Sequence, residues 1–190
     1  YMGNQRFQPN RVVAPRTVDE VVDAVRAADP SRPIKAVGGC ASMSPTSATQ
    51  GTLLHTYEMN QIRVFDASKR LFWLGTGVMI ADAVHFFAAQ SPKLAMPNLG
   101  GWTGQTVVGA VTTGTHGSGI NYAPLCDFVH AIHVVAGDGN QYIFEKATGA
   151  LLKQEDFSGV TLVQDDAKFR ASVVTMGTRG IVVGILYAAL

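Results

Sequence analysis

An α+β protein of two lobes is the architecture this sequence predicts, and three observations predict it. The chain opens extended, helical, extended in a βαβ order; short strands and a second helix follow; and the second half is dominated by alternating β-branched segments. The first lobe is expected at about 1–75 and the second at about 76–190, with no internal repeat and no low-complexity linker between them.

Residues 1–16 read as an extended arm, because Pro9 and Pro15 oppose helix. Thr17-Val18-Asp19-Glu20 then has the pattern of a capping box, in which the Thr17 hydroxyl accepts from the Glu20 N–H while the Glu20 side chain reaches back. Val18, Val21, Val22 and Val25 recur at helical spacing, so 18–28 is an amphipathic helix ending before Pro30. Ile34–Val37 is a short strand entered from Pro33. Thr52–Thr56, Arg63–Asp66 and Arg70–Gly75 read as short strands, the last two joined as a hairpin by the turn at 66–69. Ile80, Val84, Phe87 and Ala88 place a helix over 79–90, with Asp82 and His85 on its polar side and Pro92 beyond its end. Phe128–Ala136 alternates as a strand, Gly137-Asp138-Gly139-Asn140 is a hairpin turn, and Gln141–Glu145 is the returning strand. Residues 146–164 carry no clear pattern and are expected to be irregular. Asp165–Val174 reads as helix, 176–180 as a turn, and Ile181–Leu190 as a strongly apolar strand. An apolar end of that kind is expected to be a cut rather than a natural tail.

Two glycine-bearing loops stand out. Gly38-Gly39-Cys40-Ala41-Ser42-Met43 follows its strand directly. PNLGGWTGQTVVGAVTTGTHGSG, from Pro97 to Gly119, interleaves glycines with small hydroxyl residues and is expected to contribute little to a core. Glycine at this density means positive φ, or a backbone lying against something that leaves no room for a Cβ. A bound ligand with a phosphate chain and a flat ring would explain both, because successive backbone N–H groups form anion-binding concavities. A chain of tight turns is the other reading. His116, between Thr115 and Gly117, either locks its own loop or faces a ligand.

Bulk composition narrows the classes. Apolar residues make up 47% of the 190 residues and charged ones 15%, more buried-type surface than ordinary packing needs and consistent with a large cofactor or an absent partner surface. The net charge of +1 and the absence of any basic run argue against nucleic acid or an anionic membrane as a partner. No apolar segment is long enough to span a bilayer, and the start, YMGNQRFQPNR, lacks a signal-peptide core, although secretion of a processed form stays open. Cys40 and Cys126 stand alone, so neither a disulfide framework nor a zinc site is indicated. A Rossmann fingerprint is absent: Gly75-Thr76-Gly77 comes nearest, but Ile80 takes the place of a third glycine. His130 and His133 aim at opposite faces of one strand, Asp138 lacks the acidic residues of a calcium loop, and Ser118 lies in no nucleophile elbow.

Taken together, KAVGGCASMSP at 35–45, the 97–119 stretch, VHAIHVVAGDG at 129–139 and FRASVVTMGTRGIVVGI at 169–185 resemble the FAD-binding domain of the vanillyl-alcohol oxidase / p-cresol methylhydroxylase flavoprotein family. The nearest branch in that resemblance holds the sugar-lactone and alditol oxidases. The resemblance implies two α+β lobes with FAD extended between them. Val37, Gly38, Gly39, Cys40, Ala41, Ser42 and Met43 would form the pyrophosphate loop. Pro97, Asn98, Gly100, Gln105, Thr106, Gly109, Ala110, Thr113, Gly114, His116 and Gly117 would line the other side of the cofactor, and Gly180, Ile181 and Val182 would close on it. Many relatives carry a histidine bonded to the flavin in the first loop; Ala41 stands there instead, so FAD is expected to be held non-covalently, and Cys40 could substitute only by pointing differently.

The implied activity is hydride transfer from a CH–OH group of a polyol, sugar or aldonolactone, with oxygen or another electron acceptor reoxidising the flavin. Ser118 is the one expected substrate contact, and no catalytic base is named. The family's substrate-binding domain follows the FAD domain and is expected to be missing from this chain. Two alternatives remain: a flavin-binding fragment without turnover, its catalytic lobe missing or on a second chain, and a sugar- or nucleotide-binding module without flavin.

Overall fold

A computed structural model describes Gly3 and residues 5–190; Tyr1, Met2 and Asn4, at the tip of the expected arm, lie outside the described residues. The chain forms two sheets. The smaller is parallel and three-stranded, with β1 (Arg11–Val13) and β2 (Lys35–Val37) flanking β3 (Thr52–His55). The larger has six strands in the order β4 (Ile62–Asp66), β5 (Leu71–Gly75), β9 (Ile181–Ala188), β6 (Val129–Val135), β7 (Gln141–Glu145), β8 (Val160–Gln164).

Helix α1 (Val18–Arg26) begins where the sequence says it should. The Thr17 hydroxyl accepts from Glu20 N–H at 3.2 Å, and the Glu20 carboxylate returns to the N–H of Arg16 at 2.7 Å, one residue before the expected partner. Its valines do more than cover one sheet. Val21, Val22 and Val25 share a core with Leu54 of the small sheet and with Val135, Ile181 and Val183 of the large one, so α1 joins the two. Helices α2 (Ile80–Ala88), α3 (Val107–Thr112) and α4 (Asp166–Val173) contribute to the main core on one face of the six-stranded sheet, where Phe72, Leu74, Ile132, Val134, Ile185 and Tyr187 are buried. The opposite face carries Leu71, Ala131, Ile143 and Leu186 under the 151–162 segment.

Three expectations change. Arg11–Val13, inside the expected arm, is a strand, because its backbone pairs in parallel with Thr52–Leu54. Val160–Gln164, inside the expected irregular segment, pairs in parallel with β7, and Val160 and Leu162 pack inward. The glycine-rich stretch does contribute to the core: Val107, Val108, Ala110 and Val111 are at most 4% exposed on α3. The two sheets divide between His55 and Ile62, because β5 pairs with β9, a strand far along the chain. The Gly137–Asn140 turn forms as read, with Asp138 accepting from Asn140 N–H at 2.9 Å.

Candidate functional site

The two glycine loops meet. A Cβ on Gly38 would fall inside the Thr106 hydroxyl, and one on Gly39 would fall inside the Gly104 carbonyl oxygen, so glycine is required at both positions by close approach rather than by backbone angle. Thr106 is the N-cap of α3, its hydroxyl accepting from Gly109 N–H at 3.1 Å. The cap therefore holds α3 at the first loop.

Between these loops and the start of β9 lies a cavity of about 480 Å³. One wall is Val37 to Met43, where Cys40 takes a φ of +52°. Another is Gln105, Thr106, Gly109 and Thr113, and the third is Gly180, Ile181 and Val182. The two loops and the last strand, read separately in the sequence, thus line one space. Ser42 anchors the first loop: its hydroxyl donates to Ser44 O at 2.9 Å and lies 2.9 Å from the Thr46 hydroxyl. The Thr113 hydroxyl is turned back onto Gly109 O at 2.8 Å.

Other expected residues lie outside this wall. Ala110 is fully buried in the main core, and Pro97 is buried as well. Asn98, with φ of +54°, staples the stretch together, donating to Tyr122 O and Ala123 O and accepting from Gly119 N–H. Gly117 is fixed by that packing, since a Cβ there would meet Leu99 O. Gly100 sits against Thr115, and Gly114 takes a φ of +71°. His116 is exposed, its Nδ1 2.9 Å from Gly117 O, and Ser118 is exposed too.

The cavity also has lining residues the sequence reading did not single out. Thr56 and Thr76 each follow the end of a strand, and the Thr56 hydroxyl donates to Val37 O at 3.3 Å. Met176 and Gly177, both with positive φ, come from the turn before β9. Met176-Gly177-Thr178-Arg179-Gly180 was legible as a turn, but nothing local showed which space it faces.

Chemically the cavity is close to neutral. Among the described residues, Lys35 is the single charged one lining it, and no carboxylate does. Hydroxyls of Ser42, Ser44, Thr46, Ser47, Thr56 and Thr106 alternate with apolar Ile34, Val37, Val108, Ile181 and Val182. Bare backbone, hydroxyls and one lysine suit a phosphate chain, and the apolar walls suit flat rings. Fold and cavity together define an α+β domain of two sheets with a cavity suited to a phosphate-bearing cofactor.

Residues 9–144 match the model of the FAD binding domain family, and the chain belongs to that family. It is 26% identical to an alditol oxidase of Streptomyces sp. over 192 residues, covering 97% of this chain and 40% of that protein. It is 31% identical to L-gulonolactone oxidase of Mus musculus over 134 residues, covering 69% of this chain and 30% of that protein. Among solved structures, 6-hydroxy-D-nicotine oxidase from Arthrobacter nicotinovorans superposes with a TM-score of 0.74 at 20% identity, over 97% of this chain and 37% of that one. The chain thus spans well under half the length of each of these relatives.

Proposed function

We propose that this chain is the cofactor-holding part of an oxidoreductase that oxidises a CH–OH group of a polyol, sugar or aldonolactone. The observation that carries the reading is the convergence of the 38–43 and 104–113 backbones on one carboxylate-free cavity, in a chain whose relatives include an alditol oxidase and L-gulonolactone oxidase. When bound, FAD supplies a hydride acceptor that returns electrons to oxygen or another acceptor.

The chain's own residues hold and orient. Gly38 to Met43 and Gln105 to Gly109 would grip the phosphates through backbone and hydroxyl groups, and Gly180, Ile181 and Val182 would close the third side. Ala41 offers no nucleophile to a flavin ring, so the cofactor is held without a covalent bond. Acid precipitation should leave yellow colour in the supernatant; colour in the pellet refutes this. Pro97, Asn98, Gly100, Gly114, His116 and Gly117 shape the second loop, and exposed Ser118 would meet the substrate.

A panel of alditols and aldonolactones, mixed anaerobically with the yellow protein, tests the reading. Rapid bleaching by one class supports it, and Ser118→Ala should then raise KM for that class. Because the chain spans 40% of the alditol oxidase and 30% of L-gulonolactone oxidase, a second reading is a flavin holder without turnover of its own, completed by a substrate domain elsewhere, including on another chain. A protein bleached by dithionite alone favours that second reading.

A further inference from the structure

A second cavity, of about 440 Å³, opens on the other face of the six-stranded sheet. Its size falls within the range of small-molecule sites. The floor is a row across three strands, in which Gly75 pairs with Gly184 and Gly184 with His133. Paired residues share a face, so two missing side chains lie next to each other there. Gly75 is roofed by the 59–61 segment, since a Cβ on it would meet Met59 O. Among the described residues none roofs Gly184 in the same way: a Cβ there would meet, tightly, only backbone of the neighbouring strand, with Leu74 O at 3.1 Å. Val183 is an extra residue in β9, because Val134 pairs with Val182 while His133 pairs with Gly184. Such a bulge bends a strand and re-aims side chains.

The walls are aromatic and the rim is cationic. Trp73, His133 and Phe157 line it half-buried, and His133 Nε2 is 3.0 Å from Gln141 Oε1. Exposed Arg16, Arg63 and Gln61 stand at the edge, with Arg63 Nε donating to Gln61 Oε1 at 3.1 Å. No lining residue carries a carboxylate, and neither arginine is in an ion pair among the described residues. Glu20, four residues after Arg16, accepts from the Arg16 backbone N–H at 2.7 Å. Arginine combined with tryptophan and phenylalanine suits a flat ring bearing one negative group.

We propose that this cavity binds a small aromatic carboxylate, the ring between Trp73 and Phe157 over Gly184 and the carboxylate on Arg16 and Arg63. This site lies apart from the cofactor cavity, with which it shares no lining residue. The chain has two tryptophans, so Trp102→Phe leaves Trp73 as the sole indole reporter.

The test titrates this variant, FAD-loaded, with benzoate while following indole emission and flavin absorbance. A saturable change in emission is expected, with benzyl alcohol and cyclohexanecarboxylate each binding at least about tenfold more weakly. Adding Arg16→Gln and Arg63→Gln should weaken benzoate by about tenfold or more, with flavin content retained as the check on folding. No saturable change in emission overturns the proposal. So does a flavin response without an indole response, equal binding of benzyl alcohol or cyclohexanecarboxylate, or benzoate affinity unmoved in the arginine variant. The ligand comparison needs no further variant and decides the matter even if the arginine variant does not fold.

Discussion

Gly39 is where one methyl group separates two loops from a shared cavity. Its Cβ would enter the Gly104 carbonyl, a backbone atom that cannot rotate away. Gly39→Ala must therefore push the first loop off the second. Overpacking of this kind costs about 1–3 kcal/mol, and the same displacement should weaken FAD binding roughly ten- to a hundredfold. Urea unfolding and flavin content of the purified variant check both numbers. His133 gives a second test at this scale. Burial holds its imidazole below the usual 6.5, against the opposing pull of Gln141. Unfolded, the ring takes its proton near the usual value; folded, it resists until a lower pH, so the folded state binds fewer protons in between. Its contribution to stability is present above the unfolded value and is lost as pH falls toward the folded one. His130 shifts the same way, first from burial and then from Lys146. Stability should fall on going from about pH 7 to pH 5, and His133→Gln should flatten that slope in unfolding curves taken across the range.

Among the elements, α3 is the one that turns a glycine-rich string into structure. Thr106 both caps it and meets Gly38, while Val107, Val108 and Val111 bury its inner side. Thr106→Val keeps the shape and removes the cap, so a loss of about 1 kcal/mol is expected by urea unfolding. The β7–β8 edge offers a contrasting case. Glu145 is 1% exposed, and its carboxylate accepts from the Leu151 and Leu152 N–H groups and from Gln164 Nε2. Glu145→Gln turns an amide donor toward other donors. A loss of about 2 kcal/mol is expected, with flavin content unchanged, because Glu145 lines neither cavity. Local pattern revealed α1, α2, α4 and the two hairpins, since caps, turns and apolar spacing act within a few residues. It did not reveal β1 or β8. Val160–Gln164 carries no clear alternation, and a short edge strand of that kind is decided by its partner, so β7 was needed to see it.

For the whole molecule, the proposed cofactor cavity is lined from both sheets. The first loop leaves the small sheet after β2, and the third wall begins β9 of the large one. Any ligand bound there by the native state alone stabilises it by mass action, about 2.7 kcal/mol at a hundredfold excess over Kd. Stripping FAD should lower Tm by roughly 5–10 °C for a chain of this size, and adding it back should restore the value; an unchanged Tm would mean that the native state does not bind FAD in preference to the unfolded one.

The amino-acid sequence determined on its own the glycine loops, the helix caps, the turn chemistry and the order of motifs that marks the FAD-binding family, because each rests on neighbours in the chain or on residue type. Only the tertiary structure decided that Leu71 stands opposite Ala188, that Gly38 and Gly39 press on Thr106 and Gly104, and that Met176 and Gly177 line the cavity while His116 and Ser118 do not. Pairing and close approach between distant segments depend on which surfaces the whole core brings together, and no local pattern encodes that choice.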